Sequence, residues 1–343
     1  MRIAVLSYSH HGRGIAGTVK EMGHEVVAAM DPEPGPRAQL EQEFDCPGFA
    51  AAASCLDAVK PDAAIVCGKH VEIPGHVAAC VERRVPYLLD KPFADCADRL
   101  RPAAHATMAA GLPHALTLPN RGSLLVEKVA QMAADGSLGD LVLYSSRLNN
   151  GPPTRYDPTP SHWLNKPALS GGGSWVVESS HGIDTFLQFA GGGPVTVVGG
   201  VLANLMHRRE VEDTAVGIVR TAAGVTGIIE SGFNYPSGTR AGDHFFRFVG
   251  SKASVFERYG DHGEPLIEVH TSGGVAITPD IGHGERMRRV IEWGLQAIEA
   301  GRIGDPDVMQ AVRVLEVQDA VYDHLRASTA AAGPYSLGAP PAR

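Results

Sequence analysis

The 343-residue chain has no apolar run as long as the ~18 residues that a membrane-spanning helix needs. It also has no excess of positive charge. Thirty Lys and Arg stand against 38 Asp and Glu, a formal net charge of −8. A mildly acidic chain has no electrostatic footprint for nucleic acid or for an anionic membrane, so neither is an expected partner. Paired cysteines are missing as well. Cys46, Cys55, Cys67, Cys80 and Cys96 are odd in number, and no two of them have C-x-x-C spacing. That speaks against a disulfide framework and a thiolate metal site, and for reduced thiols in the cytoplasm. The opening "MRIAVLSYSHH" turns polar too soon for a signal peptide and reads as a first core strand. Hydrophobic residues are 44% and charged residues 20%, so disorder is expected only in the tail.

The length predicts about two domains. In the first ~118 residues, short apolar strands ("RIAVLSY", "HEVVAAMD", "DAAIVCG", "VPYLLDKP", "PHALTLP") alternate with helical stretches. Such strands imply a parallel sheet covered on both faces, a doubly wound α/β fold over residues 1–118. After Pro119 the pattern changes. A helix, "SLLVEKVAQMAADG", and a strand, "LVLYSSRLN", lead into a loop at 149–173 and a helix beginning at "SWVVESSHGIDTFLQFAG". Strand-like runs from 194 to 278 then predict a large, mainly antiparallel sheet, and helices near 285–300 and 306–327 follow. Residues 119–328 are expected to form a second, α+β domain, and 329–343 a loose tail.

Glycine is missing where it would be most informative. Strand "RIAVL" leads into "SYSHHG", where a dinucleotide fold carries G-x-G-x-x-G, and only the last position, Gly12, is glycine. Ser7 and Ser9 stand at the first two, small residues whose hydroxyls can donate to phosphate. His10 and His11 fit hydrogen-bond donors to phosphate or substrate better than a metal pair, and no metal site is expected. Asp31 ends the second strand 19 residues after Gly12. It either accepts a ribose 2′-hydroxyl, which favours NAD over NADP, or merely starts an Asp-Pro turn. Gly68 closes the "AAIVCG" strand and joins the cofactor-binding candidates. Lys91 falls at the carboxyl end of a parallel strand, where such sheets bind ligands.

Four stretches together resemble the Gfo/Idh/MocA oxidoreductases: "YLLDKPFAD", "DGSLGDLVLYSS", "SGGGSWVVESSHGIDTFLQFAG" and "VEDTAVGIVRTAAGVTGIIESGF". The resemblance spans roughly residues 1–328 and includes a serine-and-histidine variant of the glycine loop. It implies a Rossmann domain, NAD(P), and hydride transfer at a secondary alcohol of a sugar, inositol or related polyol. In that pattern Lys91 contacts the reacting oxygen as well as the cofactor, and His181 is the acid/base. The family's Asp four residues before the His is Val177 here, so Glu178 or Asp184 is left to support the imidazole. Apart from the resemblance, a lone Lys before Pro and a lone helical His read as surface and structural residues. Asn120, Arg121, Tyr156, His162, Trp163 and Lys166 are the substrate-binding candidates, with loop packing as the alternative for each. The resemblance further implies a homodimer or homotetramer through the C-terminal sheet. Two other functions stay open: a non-catalytic nucleotide- or ligand-binding relative, and an NAD-dependent lyase or glycosidase that oxidises its substrate transiently.

Overall fold

The computed structural model describes residues 1–8, 11–151, 162–236, 242–260 and 263–332. Two compact units emerge. One is Met1–Leu118 with Met287–Leu315; the other is Pro119–Arg286 with the chain from Glu316 onward.

The first unit alternates strand and helix: β1 (Arg2–Leu6), α1 (Gly12–Glu21), β2 (Glu25–Met30), α2 (Pro34–Phe44), β3 (Gly48–Phe49), α3 (Ala52–Val59), β4 (Ala63–Val66), α4 (Ile73–Glu82), β5 (Tyr87–Asp90), α5 (Ala97–Ala109) and β6 (His114–Thr117). The strands pair in parallel in the order β3-β2-β1-β4-β5-β6. Every residue of β4 and β5 is buried, as expected of apolar strands covered on both faces. Between β1 and β4 the strand order reverses. The carboxyl ends at that reversal are where doubly wound sheets take ligands.

Two later helices, α9 (His283–Glu299) and α10 (Val308–Ala332), complete the secondary structure. Ile291, Leu295 and Ile298 recur at helical spacing on α9 and join Ile3, Val5, Ile65 and Leu88 in one core. The expected 119–328 domain is therefore interrupted, because residues 287–315 belong with the first unit. His114 fastens this return. Its Nδ1 donates to the Leu112 carbonyl at 2.7 Å, and its Nε2 accepts the Val308 amide at 2.9 Å.

In the second unit a 3₁₀ turn (Pro119–Gly122) precedes α6 (Leu124–Ala134) and β7 (Leu141–Asn150). A 3₁₀ turn at Trp163–Asn165, the short α7 (Pro167–Ser170) and α8 (Ser174–Phe189) follow. Next come β8 (Val195–Ala203), β9 (Thr214–Thr221), β10 (Thr226–Gly232), β11 (Gly242–Gly250), β12 (Ala253–Tyr259), β13 (Pro265–Thr271) and β14 (Gly274–Pro279). With β7 they form an eight-stranded sheet, β14-β13-β12-β11-β7-β10-β9-β8. Pairing is antiparallel except between β7 and β10. Helix α8 lies against β7, β9 and β10, and a Cβ at Gly217 would sit 2.4 Å from the Trp175 ring.

The amino end of α8 is held by a residue far away in sequence. Glu212 Oε1 accepts the amides of Gly173 and Trp175, both at 2.9 Å, and the Tyr322 hydroxyl at 2.8 Å. The carboxylate thus satisfies helix-start donors that have no intrahelical partner. Burial raises the Glu212 pKa, with the donated hydrogen bonds opposing the shift. Gln318 on α10 secures the same turn by donating to the carbonyls of Trp175 and Val176 at 3.1 and 3.0 Å.

Candidate active site

Of the segment between β1 and α1, Ser7, Tyr8 and His11 are among the described residues, and serine stands at the position of the first glycine. Ser7 has φ +90°, a conformation a side chain adopts at a cost of roughly 1–3 kcal/mol. The hydroxyl offsets part of that cost by donating to Asp31 Oδ2 at 3.0 Å, and the Tyr8 amide donates to the same oxygen at 3.1 Å. Asp31 Oδ1 accepts the Glu33 amide at 2.9 Å. Two donors fill Oδ2, while Oδ1 retains capacity for another, such as a ribose hydroxyl. Asp31 is therefore a clasp on the loop, and the ribose reading is left to one oxygen. Gly12 cannot be replaced in the same way, since a Cβ there would lie 2.2 Å from the Ser7 carbonyl oxygen. Close strand–helix approach at Gly12 is what the last glycine of a dinucleotide turn provides. Ser9 and His10, also cofactor candidates, lie outside the described residues. Gly68 follows β4 with φ +137°, its backbone beside the His76 ring.

At the end of β5, Asp90 is 2% exposed and Lys91 4%. Asp90 Oδ2 lies 2.9 Å from His11 Nδ1, and Oδ1 accepts the Thr117 hydroxyl at 2.5 Å. His11 is thus tied to a strand end as well as being a loop residue. Neither Asp90 nor Thr117 was a sequence candidate. Their signal is a polar residue closing each of two adjacent apolar strands, and the two are register partners.

Helix α8 carries the second group. Residues Ser174 to Leu187 are all buried, although they include Glu178, His181 and Asp184. A helix buried all round is ordinarily apolar, so this polar content marks it as a candidate for chemistry. Val177 packs with Leu164 and Phe233, with Trp163 against them, so the family's Asp position lies in an apolar cluster. Glu178, the next residue, is 1% exposed, and its Oε1 has no hydrogen-bond partner among the described residues. Asp184 is paired with Arg121 in a two-pronged ion pair, both N–O distances 2.8 Å. The two candidates were expected in separate roles, and the structure places them together.

The remaining candidates are more scattered. The Asn120 Nδ2 is buried with no partner among the described residues. His162 Nδ1 accepts the Leu164 amide at 3.4 Å, and its ring lies 5.7 Å from that of Trp163. Lys166 is exposed at the start of α7, and Tyr156 lies outside the described residues. Among the described residues no group of three or more His, Cys, Asp or Glu could hold a metal, and no helix is long and apolar enough to cross a membrane.

Residues 126–256 match the family model of the GFO/IDH/MocA C-terminal domain. The match covers that stretch of the second unit and not the rest of the chain. A search of curated proteins found no match. Solved structures share the fold of this chain nearly end to end. One is levoglucosan dehydrogenase in complex with NADH and levoglucosan, at 15% identity and TM-score 0.80, over 94% of this chain and 96% of that one. Another is an oxidoreductase from Agrobacterium radiobacter in complex with NAD+, L-tartaric acid and magnesium, at 14% identity and TM-score 0.80, over 94% and 95%. A third is a 3-ketoreductase from Actinomadura kijaniata with NADP and TDP-benzene, at 16% identity and TM-score 0.75, over 94% and 97%.

Proposed function

We propose that the chain is a nicotinamide-dependent oxidoreductase that prefers NAD and acts at a secondary alcohol of a sugar, inositol or related polyol. The observation that carries this reading is Glu178, a buried carboxylate on the same helix as His181 with one oxygen that has no hydrogen-bond partner among the described residues. Burying an unpaired charge is costly, and such a group is retained where a ligand or a developing charge answers it. The structurally similar proteins add support, since their structures carry NADH, NAD+ or NADP, and they include a levoglucosan dehydrogenase and a 3-ketoreductase. Asp31 favours NAD, because a carboxylate accepts a ribose hydroxyl and repels a 2′-phosphate.

When bound, nicotinamide supplies or accepts the hydride. The chain's own groups handle the proton and the charge. Lys91 donates to the reacting oxygen and stabilises developing alkoxide. His181 removes the alcohol proton in oxidation and returns it in reduction. Glu178, three residues before His181 on α8, is the carboxylate left to offset charge on the imidazolium, since Asp184 is committed to Arg121. Asn120 and Trp163 offer a hydrogen-bond donor and an aromatic face to a polyol, and His162 and Lys166 lie on the same loop. Val201 and Ile228 are exposed on the sheet face away from α8, which fits a homodimer or homotetramer through that sheet.

The test is calorimetric titration with NADH and, separately, NADPH, followed by a polyol screen for hydride transfer. Tighter NADH binding, with Lys91→Ala retaining it while losing turnover, supports the reading. Binding of neither cofactor overturns it.

A further inference from the structure

We propose that His11 and Thr117 are positioning residues that hold the Asp90 carboxylate at the nicotinamide end of the dinucleotide site, where it favours the oxidised cofactor. This rests on the cofactor reading above.

The geometry lies wholly within the first unit. His11 follows β1, Asp90 ends β5 and Thr117 ends β6. In the sheet, β4 lies between β1 and β5. The His11–Asp90 contact of 2.9 Å therefore bridges the carboxyl end of β4, at the reversal of strand order. Thr117 holds the other carboxylate oxygen from the opposite side at 2.5 Å. The Asp90 carboxylate is 3% exposed and gripped at both oxygens, so its position and its direction are set before any ligand arrives.

Charge then assigns a consequence. A dinucleotide lies across the reversal with its pyrophosphate at the start of α1. The Asp31 end takes the adenosine ribose, which leaves the β4–β5–β6 side for the nicotinamide half. The oxidised ring is cationic and the reduced ring is neutral. A fixed carboxylate on that side stabilises the oxidised ring through Coulomb attraction that has no counterpart in the reduced one. A loosely held carboxylate would turn toward water and lose much of this discrimination. Neither a phosphate-binding turn nor a parallel strand end needs a histidine for its own geometry. Its imidazole here serves the aspartate.

The experiment measures dissociation constants for NADH by fluorescence titration and for NAD+ by competition, on the purified full-length chain. The quantity of interest is the ratio of the two. Asp90→Asn is expected to shift the ratio toward NADH by about tenfold, with NADH binding itself retained. His11→Ala and Thr117→Val should each shift it severalfold in the same direction. His11→Asn should return it to wild type, because the asparagine amide nitrogen occupies nearly the place of Nδ1 and can donate to the same oxygen. Thermal unfolding of each variant separates a shifted ratio from a damaged fold, and His11→Asn is the variant best able to keep the turn. An unchanged ratio in Asp90→Asn, or identical behaviour of His11→Ala and His11→Asn, overturns the positioning role while leaving the cofactor reading in place. Failure of the wild-type chain to bind NADH at all overturns both.

Discussion

In the first unit, Asp31 and Asp90 direct their oxygens to the chain's own donors, whereas on α8 of the second unit one buried oxygen of Glu178 has no partner among the described residues. Both regions are acidic and both are buried, so burial alone does not distinguish them. What differs is who supplies the partner. A cofactor read largely through backbone amides needs a turn of fixed shape, and carboxylates that bond inward provide it. A site that moves a proton needs a group whose bonding is left for the substrate or for the charge that forms during reaction. Under the proposed function, Asp31 and Asp90 would meet the first need, and Glu178, whose Oε1 has no partner among the described residues, the second.

The sharpest way to break this contrast is to remove a satisfied acid. Asp31→Ala leaves the Ser7 hydroxyl and the Tyr8 and Glu33 amides without their acceptor. Hydrogen bonds to a charged group contribute about 1.5–3 kcal/mol each, and water replaces part of the loss, so a destabilisation of about 3 kcal/mol is expected. Urea unfolding measures it. A loss below about 0.5 kcal/mol, the range of ordinary surface substitutions, would show that Asp31 is not a clasp.

Glu178→Gln is the complementary test. It removes a charge that has no partner to lose on the described oxygen, so stability should stay within about 1 kcal/mol of wild type. Turnover, once a substrate is found, should fall because the imidazolium of His181 loses its counter-charge. If the variant unfolds as readily as Asp31→Ala, Glu178 is an anchor of α8 and the contrast between the units disappears.

Much of the fold was legible because period and punctuation agree over most of the chain. Short, mostly apolar runs alternating with helical stretches point to the parallel sheet, and burial at every position of β4 and β5 is the physical counterpart. The parallel pairing of β7 with β10 was not legible, since strand direction depends on where a connection returns, and alternation does not encode that. The return of residues 287–315 to the first unit was hidden for a similar reason, because an apolar stripe shows that a helix is buried and not against what. At the site, residue types were readable and partners were not. Arg121 and Asp184 are 63 positions apart and His11 and Asp90 are 79, distances over which spacing carries no geometric information. Val177 stood out as a departure from the family's pattern, and the structure accounts for it by surrounding that position with Leu164 and Phe233.

The smallest expected effect extends the comparison to histidines. His114 is satisfied in the manner of Asp31, donating at Nδ1 and accepting at Nε2. It can accept the Val308 amide only while neutral, and burial lowers its pKa below the ordinary 6.5. Burial lowers the His76 pKa in the same direction. The unfolded chain therefore binds protons more readily than the folded one just below pH 6.5. The stability from these neutral rings is full above the unfolded value, and it is lost as pH falls from about 6.5 through the lower folded values. The melting temperature should drop as pH is lowered from 7.5 toward 5.5. His114→Gln keeps an acceptor near Nε2 and cannot titrate, so it should flatten that slope, with the remainder including His76. An unchanged slope in His114→Gln would mean that the ring is not held neutral by its contact with Val308, and the satisfied character of the first unit would then be confined to its acids.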